Sequence, residues 1–118
     1  MPRLTDSARL RHAAGLVAIG LMTLIALLSL LPPGDLPPVE GSDKLKHFIA
    51  YAALGAAMTI WTGPGRTIRA LVLTAAYGAG IEIAQMLTPT GREASLLDEG
   101  ANILGAGLGA LSAFIVRR

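Results

Sequence analysis

The chain has 118 residues, 53% of them hydrophobic and only 15% charged, which leaves too few polar side chains to cover a soluble domain of this size and points to one small membrane domain. Its net charge is only +2, and the Lys and Arg residues sit at the ends of apolar segments without aromatic interleaving, which argues against nucleic acid as a partner. Cysteine is absent, so neither disulfides nor thiolate chemistry contributes.

Four predicted helices follow in chain order. The first, Ala13 to Leu31, carries no charge and approaches the ~20 residues that span a ~30 Å hydrocarbon core at 1.5 Å per residue. It stops at Pro32 and Pro33. Arg3, Arg9 and Arg11 precede it in the manner of a signal peptide, but the apolar run exceeds the usual ~7 to 15 residues and no small-x-small site follows, so a retained signal-anchor is expected. The second helix is expected from Asp43 to Thr62, with Ser42 as N-cap and Gly63-Pro64-Gly65 as its stop; it is apolar only from Phe48 onward. Low aromatic content leaves Trp61 and Tyr51 as candidates for the membrane interface.

The third helix should run from Thr67 to Leu87. The fourth should open on Ser95-Leu96-Leu97-Asp98, a capping-box spacing, and span residues 96 to 116. Small residues four apart, Ala76/Gly80/Ala84 on the third helix and Ala101/Gly105/Gly109 on the fourth, read as packing seams that let backbones approach, and a glycine seam would also serve a homodimer. The fold class is therefore all-α, a four-helix transmembrane bundle with up-and-down topology. Basic residues set its orientation: Arg3, Arg9, Arg11, Arg66, Arg69, Arg117 and Arg118 fall on one side, against Lys44, Lys46 and Arg92 on the other. Both termini should face the cytoplasm, with the 32–47 and 88–98 segments outside.

Glu82 and Gln85 interrupt an otherwise apolar span. An ionisable side chain at membrane depth costs from ~2.5 to above 10 kcal/mol, so it marks a site by default. Other chemically capable side chains converge on the same end. Asp43, His47 and Tyr51 form a stripe at i, i+4, i+8 on the second helix, Glu82 and Gln85 share a face of the third, and Asp98 and Asn102 share one on the fourth, with Arg92 in the preceding loop. The second and fourth helices both begin there, so their free N–H groups and positive dipole ends favour an anion.

These residues, Asp43-Lys44-x-x-His47-x-x-x-Tyr51, Glu82-x-x-Gln85, Arg92 and Asp98-x-x-x-Asn102-x-x-Gly105, resemble the VanZ-like family of small bacterial membrane proteins over about the last two thirds of the chain. The family is named for a protein associated with teicoplanin resistance, so the resemblance implies an integral protein of the cell envelope with a link to glycopeptide tolerance. It implies no particular reaction.

Three functions are compatible with the residues. In the first, Asp43, Lys44, Tyr51, Gln85, Arg92, Asp98 and Asn102 line an extracytoplasmic pocket for the headgroup of an anionic lipid or cell-wall precursor. In the second, His47 and Glu82 are the acid and base of an intramembrane headgroup hydrolase or transferase. In the third, the polar groups only fix helix register in a structural partner protein. Each residue also has a plain structural role open to it: helix capping for Asp43 and Asp98, snorkelling for Lys44, Lys46 and Arg92, packing for Tyr51, and an interhelical hydrogen bond for Asn102. His47 with Asp43, Glu82 and Asp98 forms a donor set acceptable to zinc or manganese, but the chain has neither His-x-x-x-His nor a cysteine pair, so no metal is expected. No nucleotide-cradling glycine loop is present, and no other cofactor is expected.

Overall fold

The computed structural model describes residues 8–31, 43–88 and 96–116, with the side chains of residues 43, 44, 96 and 97 excepted. Among them are four helices and no strand: α1 (Ala8–Leu30), α2 (Asp43–Thr62), α3 (Thr67–Leu87) and α4 (Leu96–Val116). Three of these match the expected bounds. The exception, α1, begins five residues before Ala13 and takes in Arg9, Arg11 and His12. Arg11 explains the extension: its Nε and Nη2 reach the carbonyls of Trp61 and Thr62 at 3.3 and 3.4 Å, so the first turns of α1 cap the end of α2. Gly63 terminates α2 with φ +88°, a conformation in which its N–H still bonds the Thr59 carbonyl at 3.3 Å and in which a side-chain-bearing residue would be strained.

Long-range contacts establish the topology. Arg11 at the start of α1 meets the end of α2, so these helices are antiparallel. Tyr77 of α3 donates its hydroxyl to the Met22 carbonyl and Gln85 donates to the Ser29 carbonyl, so α3 runs parallel to α1. Gly105 lies on Phe48 and Gly109 on Ala52, so α4 runs parallel to α2. The result is an up-and-down four-helix bundle in which α2 and α4 form the most intimate pair and α1 and α3 flank it.

The inside of this bundle is small and polar, and its outside is large and apolar. Ala14, Ala18, Ala57, Ala70, Ala106, Ala110 and Ala113 are buried, together with Thr59, Thr74, Glu82, Gln85 and Asn102. Leu16, Ile68, Leu104 and Met86, by contrast, are each about 70% exposed. A protein in water would not leave such a surface uncovered, whereas lipid is as apolar as leucine and gives no reason to hide it. By length and composition α1, α3 and residues 98–116 of α4 are each able to cross a membrane. The second helix fails that test because its first turns hold Asp43, Lys44, Lys46 and His47, but its 20 residues equal its neighbours in reach and return the chain between α1 and α3. The buried threonine hydroxyls of the bundle interior satisfy themselves on their own helix, Thr59 on the Gly55 carbonyl and Thr74 on the Ala70 carbonyl, both at 2.8 Å.

The α2–α4 seam consists of backbone against backbone. A Cβ built on Gly105 would strike the Phe48 carbonyl, one on Gly109 the Ala52 carbonyl, and one on Gly55 would stand 2.5 Å from the Ala106 carbonyl. The seam expected on α4 is therefore present. The seam expected on α3 is not: Ala76 is exposed, Gly80 has nothing within 4 Å of a hypothetical Cβ, and the helix packs instead through Ala70, Thr74, Gly78, Ile81, Glu82 and Gln85. Both faces of α3 are rich in small residues, and the polar face won because lipid cannot satisfy Glu82 and Gln85. Tyr51 corrects a second expectation, since it is fully buried in the bundle and does not sit at the membrane interface; Trp61 is half-exposed.

The two glycine positions separate cleanly by mutation. Gly109→Ala forces α2 and α4 apart and should lower stability by ~1 to 3 kcal/mol, the usual cost of overpacking, read as a lower melting temperature in detergent. Gly80→Ala meets open space and gains helix propensity, so it should leave the melting temperature unchanged or slightly raised, within ~1 kcal/mol.

Candidate functional site

Near the end of the bundle where α2 and α4 begin, three helices contribute polar side chains to one buried cluster. On α2, His47 and Tyr51 lie one turn apart, and their rings stack at 2° between planes with centroids 6.4 Å apart. Tyr51 in turn faces Tyr77 of α3, with ring centroids 6.3 Å apart. On α4, Asn102 is fully buried, and its Oδ1 lies 2.8 Å from His47 Nδ1.

Gly78 makes this convergence possible. A Cβ at that position would lie 3.1 Å from Asn102 Nδ2, 3.1 Å from Tyr51 Cε1 and 3.3 Å from Glu99 Oε1, so the bare α-carbon of α3 lets groups from α2 and α4 meet across it. Glu82, one turn further along α3, is buried and within electrostatic reach of Tyr51 and Glu99; Glu99 is within reach of His47 as well. Asn102 Nδ2 and the Glu99 carboxyl face each other closely enough to interact, although Nδ2 stops short of full hydrogen-bond geometry.

The third helix is also held in this register by α1. Gln85 spends its Nε2 on the Ser29 carbonyl at 2.8 Å, and the Tyr77 hydroxyl is bonded to the Met22 carbonyl. Both bonds tie α3 to α1 and turn Glu82 toward the α2–α4 pair. Gln85 is thus an anchor through its amide nitrogen, while its Oε1 is buried without a hydrogen-bond partner among the described residues. The Tyr51 hydroxyl, Glu99 Oε2 and Asn102 Nδ2 share that condition.

Of the residues singled out in the sequence, His47, Tyr51, Glu82 and Asn102 come together, and Gln85 lies one turn from Glu82 on the same buried face. Asp98 is half-buried in the first turn of α4. The side chains of Asp43 and Lys44, together with Arg92, Ser42 and Ser95, lie outside the described residues. Three members of the cluster escaped the sequence reading: Glu99, Tyr77 and Gly78. Glu99 stands three residues before Asn102, a spacing that shares a helix face as well as the four-residue spacing of Asp98 does, so the signal for it was available. Tyr77 and Gly78 carry no such signal, because their role depends on a neighbour more than twenty residues away in sequence.

The cluster offers hydrogen-bond donors and acceptors of different kinds within a few ångströms: an imidazole, a phenol, an amide and two carboxyls. Such a set can orient a polar group or exchange a proton with it, and its burial gives every unsatisfied atom a strong demand for a partner. A protein-family model described as VanZ/LLP1 matches residues 25–117, from the last turns of α1 to the end of α4. No curated protein and no solved structure matches the chain. Since that match takes in α2, α3, α4 and every residue of the buried cluster, the chain belongs to the VanZ/LLP1 family.

Proposed function

We propose that this multi-pass membrane protein serves the bacterial cell envelope, using an extracytoplasmic polar pocket to recognise the headgroup of an anionic lipid or cell-wall precursor. The reading is carried by one observation: the Tyr51 hydroxyl, Glu99 Oε2 and Asn102 Nδ2, which gather near Gly78, and Gln85 Oε1 further along α3 are buried without hydrogen-bond partners among the described residues. Leaving a polar atom unsatisfied costs ~1 to 3 kcal/mol, so several together favour a site that a polar ligand completes.

The kinds of atom involved narrow the headgroup. Glu82 and Glu99 offer carboxyl oxygens that accept hydrogen bonds, so the deep part of the pocket suits hydroxyl or amine donors. The anionic part of the ligand falls to Lys44, in the first turn of α2, and to Arg92, in the segment joining α3 to α4, with the amino ends of α2 and α4 adding their dipoles. A phosphate carrying a glycerol, amine or sugar combines both features. The excess of arginine at the opposite end supports an outward-facing pocket and cytoplasmic termini. A link to glycopeptide tolerance is suggested by the family's name and would follow from binding a cell-wall precursor.

A second reading, in which His47 and Glu82 are the acid–base pair that processes the headgroup, is favoured by the short contact between His47 and Asn102, which orients the imidazole as acid–base chemistry requires.

Two measurements test the main reading. In vesicles, the protein should prefer phosphatidylglycerol to phosphatidylcholine, and the preference should fall with added salt. Arg92→Ala should weaken it by about ten- to a hundredfold, since a charge-assisted hydrogen bond is worth ~1.5 to 3 kcal/mol; binding indifferent to salt and to Arg92 overturns the anionic headgroup. The cysteine-free chain also allows topology mapping by single substitutions. An impermeant maleimide added to intact cells should label Thr90→Cys and leave Pro64→Cys unlabelled, and the reverse pattern removes the extracytoplasmic pocket.

A further inference from the structure

The contact between His47 and Asn102 determines more than proximity. Imidazole Nδ1 approaches Asn102 Oδ1 at 2.8 Å, and an amide oxygen has no hydrogen to give. For that contact to be a hydrogen bond, Nδ1 must carry the proton and donate it. A neutral imidazole has one N–H, so Nε2 is then left with its lone pair.

The assignment depends on which way the Asn102 amide points, because exchanging its nitrogen and oxygen would reverse the donor. Glu99 decides the direction. Its carboxyl faces the far side of the same amide across Gly78, where Asn102 Nδ2 and Glu99 Oε1 each fall within 3.3 Å of one point. With Nδ2 on that side, an N–H is aimed toward a carboxyl oxygen; with the amide reversed, two acceptors oppose each other in a buried place. The imidazole plane is held independently by its stack on Tyr51.

We propose that Glu99 and Asn102 are positioning residues that hold His47 as the Nδ1–H tautomer, so that Nε2 is the proton-accepting atom the site presents to an O–H or N–H donor. His47 is only half-buried, and among the described residues the sole hydrogen bond of its ring is the one at Nδ1, so Nε2 remains available. The chemical class that follows is a donor-bearing group: the hydroxyl of a glycerol or sugar, an ammonium, or a water. The use of Nε2 toward a headgroup rests on the function proposed above. The tautomer does not, since it is a property of the protein alone.

Nitrogen NMR of the full chain, labelled with ¹⁵N-histidine and held in lipid nanodiscs, reads the tautomer directly. Spectra are taken well above the ordinary imidazole pKa of about 6.5, and only His12 and His47 contribute, so His12→Asn assigns both. The wild-type His47 should show a protonated Nδ1 and a bare Nε2. Asn102→Asp retains an acceptor and should keep that pattern; Asn102→Leu removes it and should move the proton to Nε2. Glu99→Gln should give a mixture of the two tautomers, because a neutral amide no longer selects one orientation of Asn102. A wild-type His47 protonated at Nε2 overturns the proposal whether or not the Asn102 variants fold, and a Glu99→Gln spectrum identical to wild type removes the role of Glu99. Lipid binding is measured separately, so loss of the headgroup reading and loss of the tautomer are distinguishable results.

Discussion

Close approach of the α2 and α4 backbones is the contact on which the rest of the structure depends. Gly55, Gly105 and Gly109 remove every side-chain atom that would hold those helices apart, and the carbonyls of Phe48, Ala52 and Ala106 occupy the space. In lipid there is no apolar burial to gain by association, so helices pair through such packing and through the dispersion contacts it allows. The seam also brings the start of α2 within one side-chain length of the start of α4. Without it His47 and Asn102, 55 residues apart in sequence, would have no means of meeting.

Polar groups then determine how the outer helices join this pair. The α3 helix has two faces lined with small residues, and neither is more hydrophobic than lipid. It turns the face bearing Glu82 and Gln85 inward because only the bundle offers partners to these groups, and the Gln85 and Tyr77 bonds to α1 carbonyls hold it there. Gly78 on that same face admits Tyr51, Asn102 and Glu99 to a common point. The groups that orient α3 are thus also members of the buried polar cluster.

The polar cluster is also uneven in how well it is satisfied. Thr59, Thr74 and the Gln85 nitrogen all have ordinary intramolecular bonds, whereas the Tyr51 hydroxyl, Glu99 Oε2 and Asn102 Nδ2 do not. The satisfied groups lie along the helix seams and the unsatisfied ones gather near the opening of α2 and α4. A network serving only to set helix register would be expected to close on itself, since half-satisfied buried networks cost more than apolar packing.

Much of this protein could be read from local sequence. The number of helices, the bounds of α2, α3 and α4, and the end of the bundle that holds the polar residues follow from hydropathy, from the length a bilayer requires and from the Gly63-Pro64-Gly65 stop, all properties of short stretches of chain. The family resemblance was legible too, in His47, Tyr51, Glu82, Gln85, Asn102 and Gly105. Tertiary structure alone decided which face of α3 is inside, that Glu99 joins Asn102 in the cluster, and that α1 reaches back to Ala8 to cap α2. The reason is that membrane helices lack the contrast between a wet face and a dry one, so periodicity cannot say which side packs; that choice belongs to contacts between residues far apart in the chain, Arg11 with Trp61, Ser29 with Gln85, and His47 with Asn102.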